Sequence, residues 1–328
     1  MHAWLCTTLD GVDALSWQEL PTPEPRAGEV RIAIRAASLN FPDLLTVQGK
    51  YQVKPPLPFA PGSEFAGTVQ AVGDGVLHLK PGMNVAAIGS HGGFATHAVV
   101  PAASIIPLPP GFAVTDGAAF AFTYGTSHHA LIDRAQLQPG ETVLVLGAGG
   151  GVGTAALQIA KAAGAKVIAA ASTAEKCARL AELGADATLN YGGENLAQLR
   201  ETLKALTAGK GPDVVYDPVG GELAEPVFRS IAWRGRYLVV GFAGGAIPAL
   251  PWNLALLKGA SIMGVFWGDF VRREPKASQQ ALQQLAGWYA EGKIKPVIDQ
   301  TLPMSELKAA YARMGSRQVL GKLLLVNP

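Results

Sequence analysis

The segment Val145–Thr154, which reads VLGAGGGVGT, constrains the fold of this chain more than any other part of its sequence. Five of the seven residues from Gly147 to Gly153 are glycine, and they directly follow the apolar run TVLV. Ordering glycine costs backbone entropy, so such a cluster needs a structural cause. A buried strand that turns sharply into a helix is one cause, and the close approach of a phosphate group to the backbone is another.

The cluster does not match the strict G-x-G-x-x-G spacing, because Ala148, Gly150 and Gly153 occupy the three glycine positions. Gly153 would still allow the helix to pack closely on the strand. The first N–H groups of that helix would face a pyrophosphate. A tight turn without a ligand remains the alternative. The position of the cluster, after a strand and before a helix, favours dinucleotide binding.

The middle of the chain alternates between strand and helix patterns. Buried-strand patterns start at Thr142 and Lys166, and helix patterns start at Gly153 and Thr173. Later strands are indicated by ATLNY, DVVYDPVG and GRYLVVG. This alternation predicts βαβ units in an α/β, doubly wound parallel sheet. The strands are apolar throughout, as expected for a sheet covered on both faces.

The two flanks have a different character. Residues 1–110 are rich in proline and glycine and contain short strand patterns separated by turns, which predicts a mostly antiparallel β domain. The 328 residues suggest two domains. We predict a first domain over 1–122, a dinucleotide-binding domain over 123–264 and a segment over 265–328 that completes the first domain. A cleft between the domains is the expected ligand site.

Composition excludes several classes of protein. A formal charge of +2 without charge runs argues against a nucleic-acid or membrane partner. Cys6 and Cys177 lie in no metal-like spacing, so we expect no disulfide framework and a reducing, cytoplasmic compartment. The N-terminus has no signal-peptide pattern. The uncharged stretches 142–160 and 237–257 are interrupted by glycine or proline and read as strand, turn and helix.

The choice of dinucleotide is indicated at the end of the second strand of the βαβ run. An NAD site usually places Asp or Glu there. This strand ends at Ser172 and is followed by Thr173 and Lys176. A hydroxyl and a cation suit the 2′-phosphate of NADP(H). Ser172 and Glu175 also fit a capping box, and that interpretation is compatible with the first.

Taken together, these motifs resemble the medium-chain dehydrogenase/reductase superfamily, in particular its zinc-independent quinone oxidoreductase branch, which includes zeta-crystallin. The most specific segment is GETVLVLGAGGGVGTAALQIAK, Gly140 to Lys161, which fits the cofactor-loop signature of that branch through Gln158 and Lys161. AASLNFPDLLTVQGKY, PFAPGSEFAGTVQAVGDGV and YDPVGG also match. The resemblance implies a Rossmann doubly wound parallel sheet domain inserted into a GroES-like, mostly antiparallel β domain.

The residues at the family's zinc positions argue against a metal. Alcohol dehydrogenases of this superfamily bind zinc through a Cys near the position of Asn40 and through the His of a G-H-E motif. This chain has Asn40 and the sequence Gly62, Ser63, Glu64 at these positions. Asn and Ser are poor zinc ligands, so we expect no metal and interpret Glu64 as structural.

The resemblance assigns the candidate site residues. Asn40 would lie beside the nicotinamide ribose, and the phenol of Tyr51 would face the substrate and donate a hydrogen bond or proton. A loop or capping role for Asn40 and a half-buried loop position for Tyr51 are the alternatives. Thr126 would contact the nicotinamide end of the cofactor, and the pyrophosphate would lie against Gly150, Gly151 and Val152. The 2′-phosphate would be surrounded by Ser172, Lys176 and Tyr191. The nicotinamide amide would be held by the backbones of Gly241, Phe242, Ala243, Val265, Phe266 and Trp267. Arg317 is a candidate contact at the adenosine end of the cofactor, although we expect it to be a surface residue. We expect Asp217 to stabilise a turn.

The leading functional hypothesis is an NADPH-dependent quinone oxidoreductase. The first alternative is an NADPH-dependent reductase of the carbon–carbon double bond of enals, enones or enoyl thioesters, for which Arg272 and Arg273 could bind phosphates. The second is a non-catalytic NADPH-binding protein. KGASIMGVFW reads as the last, apolar edge strand of the sheet, which relatives pair across a two-fold axis, so we expect a homodimer.

Overall fold

A computed structural model describes the backbone of residues 1–328 and the side chains of all of them except Glu194, Asn195 and Ala197. The chain forms two compact units. The first contains Met1–Phe122 and Ile298–Pro328, and the second contains Thr123–Val297. Strands and helices are numbered in chain order.

The second unit is built on a six-stranded sheet. Its strands are β8 (Thr142–Val145), β9 (Lys166–Ala171), β10 (Ala187–Asn190), β11 (Val214–Asp217), β12 (Arg236–Val239) and β13 (Ser261–Gly264). The strand order is β10-β9-β8-β11-β12-β13, and every neighbouring pair is parallel. The order reverses between β8 and β11, and ligands of such sheets bind at the carboxyl ends of the strands near that reversal. The predicted doubly wound parallel sheet is confirmed.

Helices separate these strands, as the alternation predicted. They are α4 (Gly151–Ala162), α5 (Ala174–Glu182), α6 (Leu199–Leu206), α7 (Ala224–Ser230) and α8 (Asn253–Lys258). Two further helices, α9 (Trp267–Arg273) and α10 (Pro275–Ala290), follow β13. A π-helical turn covers His129–Arg134, and 3₁₀ turns cover Gly193–Gln198 and Gly221–Leu223. Leu144, Val215 and Phe228 are buried in a common core, because the sheet is covered by helices on its faces.

The first unit is a mostly antiparallel β structure. Its strands are β1 (His2–Leu5), β2 (Ser16–Glu19), β3 (Glu29–Ser38), β4 (Glu64–Val72), β5 (Asn84–Ile88), β6 (His97–Pro101), β7 (Ile105–Pro107), β14 (Ile298–Pro303) and β15 (Lys322–Val326). The larger sheet has the order β14-β15-β3-β4-β5-β7, with β6 also paired to β3. Only the β14–β15 pair is parallel. The C-terminal strand β15 therefore lies beside β3, far away in sequence.

Short helices complete the first unit. They are α1 (Phe41–Val47), α2 (Val114–Gly117) and α11 (Leu307–Gly315), with 3₁₀ turns at Val12–Ala14, Ala102–Ser104 and Met304–Glu306. Helix α3 (Ala121–His128) contains the division between the units. Trp4 is buried in the core of the first unit, and its indole N–H donates to the carbonyl of Met304 at 2.8 Å. This bond ties the start of the chain to its C-terminal segment.

The second division lies at Val297/Ile298, later than the 264/265 boundary predicted from the sequence. The residues between the two positions pack within the second unit. Phe270 of α9 stacks on His129 with ring centroids 4.1 Å apart, and Gln284 of α10 lies 2.7 Å from His128 Nε2. Strand β14 then opens the return to the first unit.

Both uncharged stretches form strand, turn and helix. The first contains β8 and α4, and the second contains β12 and α8. Among the described residues, no helix has the length and apolar character needed to cross a bilayer.

Candidate functional site

The glycine-rich turn connects β8 to α4 as predicted, and Gly153 is needed for close packing. A Cβ at Gly153 would lie 2.4 Å from the carbonyl oxygen of Gly147 and 2.6 Å from Cα of Ala148. Real Cβ atoms do not approach backbone this closely. Gly147 itself has φ +56°, a left-handed conformation that glycine adopts without strain. These two glycines are explained by the fold alone.

Gly150 is different, because the fold does not require glycine there. It has an ordinary φ of −81° and is exposed, and a Cβ would meet only the carbonyl oxygen of Gly147 at 3.4 Å. It is the N-cap of the twelve-residue helix α4, whose first N–H groups have no partner within the helix. Because Gly150 has no side chain, the space beside these N–H donors stays open, and a pyrophosphate could bind there.

A buried pair of hydroxyl groups contacts the first turn of α4, directly after the glycine turn. The hydroxyl of Ser127 donates to the carbonyl of Val152 at 3.0 Å and lies 2.9 Å from the hydroxyl of Tyr216. Burial raises the pKa of Tyr216, so its hydroxyl stays protonated and can donate to Ser127. Sequence reasoning missed both residues. Thr126, which precedes Ser127 in α3, is buried.

The two signature residues of α4 have structural roles. The side-chain oxygen of Gln158 accepts a hydrogen bond from the Tyr124 hydroxyl at 2.8 Å and from the backbone N–H of Lys295 at 2.7 Å. Lys161 pairs with Asp186 at 2.8 Å. Both residues therefore attach α4 to neighbouring segments rather than line the glycine turn.

The predicted 2′-phosphate residues converge at the carboxyl ends of β9 and β10. Ser172 follows β9 and Tyr191 follows β10, and the strands pair through Ala171 and Asn190. A Cβ at Gly192 would lie 2.1 Å from the carbonyl oxygen of Ser172, so the two chain segments touch. Lys176 lies in the first turn of α5.

The capping-box interpretation of Ser172 and Glu175 is wrong. The N-cap of α5 is Thr173, and its side chain accepts from the backbone N–H of Lys176 at 3.2 Å. Strand β9 ends at Ala171, and the backbone is still extended at Thr173. Because α5 begins at the next residue, Thr173 rather than Ser172 is its N-cap.

Asp217 stabilises a turn at the end of β11, as predicted. One carboxylate oxygen accepts from the backbone N–H groups of Val219 and Gly220, both at 2.8 Å, and the other accepts from the Tyr237 hydroxyl at 2.6 Å. This turn holds the segment predicted to contact the nicotinamide amide. The backbone N–H of Gly241 donates to the carbonyl of Asp217, and that of Ala243 to the carbonyl of Pro218.

That segment also contains Phe242, which lies against the same turn. A Cβ at Gly220 would lie 2.8 Å from the Phe242 ring. Val265 follows β13 and donates its N–H to the carbonyl of Val239, so it remains next to the end of β12. Phe266 is exposed, whereas Trp267 is buried. A Cβ at Gly125 would lie 2.6 Å from the Trp267 indole, which brings this ring beside the helix that carries Thr126.

A buried polar cluster surrounds Asn40 in the first unit. Its side chains are Ser38, Asn40, Glu64 and Lys322, and each is at most 5% exposed. The Lys322 ammonium donates to the side-chain oxygen of Asn40 at 2.6 Å, to the carbonyl of Leu39 at 3.0 Å and to Glu64 Oε2 at 3.4 Å. The Asn40 amide nitrogen faces Glu64 Oε2 at 3.3 Å and Ser38 Oγ at 3.4 Å. Both ends of the Asn40 amide are therefore engaged.

Glu64 is the acceptor of this cluster, in agreement with the structural role expected from the sequence. Its Oε1 accepts from the backbone N–H of Phe122 at 2.8 Å, and its Oε2 accepts from the Ser38 hydroxyl at 2.7 Å. Sequence reasoning missed Lys322 and Ser38. A lysine next to the apolar run LLLV was the available signal, because an unpaired lysine is seldom buried.

Two titratable groups adjoin the cluster. Burial raises the pKa of Asp43 to about 6, against the lowering effects of the Asn40 backbone N–H, which donates to Oδ2 at 2.9 Å, and of the Lys322 charge. Tyr51 is half-buried, and its pKa is raised by burial and by Asp43. A phenol with a raised pKa stays protonated at neutral pH and can donate a hydrogen bond.

Several other candidates have ordinary surroundings. Arg272 and Arg273 are exposed and both pair with Asp269 in the same helix. Arg317 is exposed in the turn after α11. Apart from Glu194, whose side chain is not described, the His, Cys, Asp and Glu side chains form no group of three that could hold a metal ion.

Two sequence families match the chain. Residues 26–110 match the family described as alcohol dehydrogenase GroES-like domain. Residues 151–287 match the family described as zinc-binding dehydrogenase. The first match lies in the antiparallel unit and the second in the parallel-sheet unit, which confirms the GroES-like and Rossmann assignments.

Individual relatives match over nearly the whole chain. A quinone oxidoreductase-like protein 2 homolog from Nematostella vectensis is 37% identical over 99% of this chain and 88% of its own length. The quinone oxidoreductase from Thermus thermophilus, solved alone and with NADPH, is 34% identical with a TM-score of 0.86 over both full chains. The CurK enoyl reductase is 27% identical with a TM-score of 0.87, covering 100% of this chain and 99% of its own.

Proposed function

Because the chain belongs to the quinone oxidoreductase-like branch of the medium-chain dehydrogenase/reductase superfamily, an oxidoreductase family, we propose that it is an NADPH-dependent quinone oxidoreductase. It transfers a hydride from the nicotinamide to a quinone without zinc. The observation that carries the proposal is Gly150, an exposed glycine that the fold does not need, beside the N–H groups of α4. The NADPH complex of the Thermus relative supports the same cofactor.

NADPH is favoured over NADH by the residues after β9. The strand ends without the carboxylate that would bind a ribose 2′-hydroxyl and repel a 2′-phosphate. Ser172, Lys176 and Tyr191 lie around the ends of β9 and β10, where the adenosine half of a dinucleotide binds in such sheets. Lysine supplies a cation for phosphate.

In the proposed mechanism, the bound cofactor supplies the hydride and the chain supplies position and polarity. The backbone of Gly150, Gly151 and Val152 binds the pyrophosphate, and Thr126 with the segments Gly241–Ala243 and Val265–Trp267 binds the nicotinamide end. Asn40 orients the nicotinamide ribose. The Tyr51 phenol donates to the acceptor oxygen on which negative charge develops.

The residues around Asn40 support hydride transfer without zinc. Asn40 and Ser63 stand at the positions of metal ligands in the alcohol dehydrogenases and are poor zinc ligands. Glu64 already accepts from four protein donors, one of them the Lys322 ammonium. A quinone needs little activation by a Lewis acid, which fits this donor set.

Reduction of a carbon–carbon double bond beside a carbonyl is the alternative. It would use the same cofactor contacts, and the similarity to the CurK enoyl reductase favours it. The pairing of Arg272 and Arg273 with Asp269 is an argument against an enoyl thioester with phosphate groups, because both cations already have a carboxylate partner.

The deciding experiment follows NADPH oxidation by absorbance with ortho- and para-quinones, 2-alkenals and a crotonyl thioester. We expect turnover of quinones. Turnover of the unsaturated carbonyls alone would move the enzyme to the double-bond reductases. NADPH binding without turnover of any acceptor would favour the non-catalytic alternative.

Lys176→Ala should weaken NADPH binding about tenfold or more and leave NADH binding nearly unchanged. The lost charge-assisted bond serves only the 2′-phosphate. Both affinities can be measured by titrating the cofactor fluorescence. Lys166→Ala, which removes an exposed lysine at the start of β9, the strand that precedes α5, is the matched control. An equal loss for NADPH and NADH would contradict the assigned role.

We also propose a homodimer through β13. This strand ends the sheet, and the segment 233–262 that leads into it carries exposed apolar side chains: Trp233, Ile247, Trp252, Leu256, Leu257 and Ile262. An apolar sheet edge is unfavourable unless it is covered. Sedimentation at micromolar concentration should give a dimer, and Ile262→Lys should give a folded monomer. A monomeric wild-type protein would contradict the assignment.

A further inference from the structure

We propose that Lys322 is a positioning residue for hydride transfer, whose ammonium group fixes the orientation of the Asn40 amide. The inference rests on the proposed function, in which Asn40 meets the nicotinamide ribose. Lys322 itself would touch neither cofactor nor substrate.

The geometry around the amide is asymmetric. A cation lies 2.6 Å from the oxygen of Asn40, and a carboxylate oxygen lies 3.3 Å from its nitrogen. Turning the amide by half a rotation would place the N–H₂ group against the ammonium and the oxygen against the carboxylate. Hydrogen bonds to charged groups are about twice as strong as neutral ones, so Lys322 and Glu64 together select one orientation. In the proposed role, a turned amide would exchange donor and acceptor toward the ribose.

The ammonium is also held in place. Its three hydrogens match three acceptors, namely the Leu39 carbonyl, the Asn40 oxygen and Glu64. Lys322 opens β15, which pairs with β3 through Leu324 and Ser38, and Asn40 follows β3 after one residue. The cation and the amide are thus carried by paired strands, which gives the contact little freedom.

Stability alone is a poor explanation for this lysine. Lys322 is only 5% exposed, and burial lowers its pKa, which reflects the cost of a charge in that place. Replacing buried ion pairs with apolar residues of similar volume is often neutral or stabilising. Apolar residues in place of both Lys322 and Glu64 would avoid that cost, whereas the cation and the carboxylate discriminate between the two ends of the Asn40 amide.

The test is a double-mutant cycle of wild type, Lys322→Met, Asn40→Ala and the double variant. Each protein is titrated with NADPH by fluorescence and then assayed with a quinone. We expect both single variants to raise the NADPH Kd about fivefold and to lower kcat about tenfold. The double variant should lose no more than Asn40→Ala alone, because Lys322 acts through Asn40.

Arg313→Met is the matched control. It removes a cation from an ion pair with Asp299 in the same unit, with an N–O distance of 2.7 Å, far from Asn40 in sequence and outside its cluster. It should lower the midpoint of thermal unfolding and leave Kd and kcat unchanged. A purely structural role for Lys322 predicts the same result for Lys322→Met.

Two outcomes would overturn the proposal: wild-type Kd and kcat in folded Lys322→Met, or additive losses in the double variant. If Lys322→Met does not fold, Lys322→Arg is tested instead. Arginine keeps the positive charge, but no single nitrogen of its planar guanidinium can donate to the Leu39 carbonyl, the Asn40 oxygen and Glu64 together. Wild-type Kd and kcat in Lys322→Arg would then contradict the proposal. A wild-type protein that binds NADPH but reduces no quinone would refute the proposed function alone, because the binding cycle needs no acceptor.

Discussion

Gly150→Ala should raise the NADPH Kd at least tenfold and change the free energy of unfolding by no more than about 1 kcal/mol. Gly153→Ala should do the opposite and destabilise the second unit by about 3 kcal/mol. A Cβ added at Gly150 would make only an ordinary van der Waals contact, at 3.4 Å. A Cβ added at Gly153 would lie 2.4 and 2.6 Å from backbone atoms, which is too close. The same added methyl group should therefore weaken NADPH binding at Gly150 and weaken packing at Gly153.

Urea unfolding without cofactor measures the stability of each variant, and fluorescence titration measures its affinity for NADPH. The two variants are controls for each other, because they lie in the same turn and carry the same chemical change. Unchanged NADPH affinity in Gly150→Ala would mean that the glycine turn is only a tight βα connection.

Asp43→Asn should gain stability relative to wild type as the pH rises, by about 2 kcal/mol between pH 4 and pH 7. The folded pKa of about 6 lies above the ordinary value of 3.8. Between these two values the folded chain keeps a proton that the unfolded chain releases. The stabilisation from that proton is complete below pH 3.8 and is lost as the pH rises through 6. Asparagine keeps an acceptor for the Asn40 N–H and carries no charge to bury.

Glu141→Gln offers a control of opposite sign. The Arg236 guanidinium lowers the pKa of Glu141 by donating to both carboxylate oxygens, at 2.8 and 2.6 Å. That stabilisation is present at neutral pH and is lost as the pH falls, so Glu141→Gln should be most destabilised relative to wild type near pH 7. Chemical denaturation at several pH values measures both differences. A difference between Asp43→Asn and wild type that does not vary with pH would sink the prediction.

The parallel-sheet unit could be predicted closely because its signals are local. Apolar runs, a glycine cluster and helix-ending glycines follow one another within a few residues. Gly164 and Gly184, for example, adopt positive φ just after α4 and α5, where glycine commonly ends a helix. The Thr173 cap was misassigned to Ser172, because both residues are good caps and only the length of β9 distinguishes them.

The cluster around Asn40 could not be predicted in the same way. Asn40 and Glu64 were singled out from their motifs, but the partner that joins them is Lys322, at the far end of the sequence. No periodicity or spacing relates residues so distant. The contact depends on the register of β15 against β3, which the apolar pattern of β15 alone does not determine.

The return of the chain to its first unit has a consequence for biosynthesis. All six strands of the second unit are complete once residue 264 has been made, whereas the first unit still lacks β14, β15 and α11. During translation the second unit can therefore fold as soon as residue 297 has left the ribosome. Asn40 and Glu64, although synthesised early, must wait for Lys322. A nascent chain completes its dinucleotide-binding half before it contains Lys322, the cation that donates to the Asn40 amide oxygen.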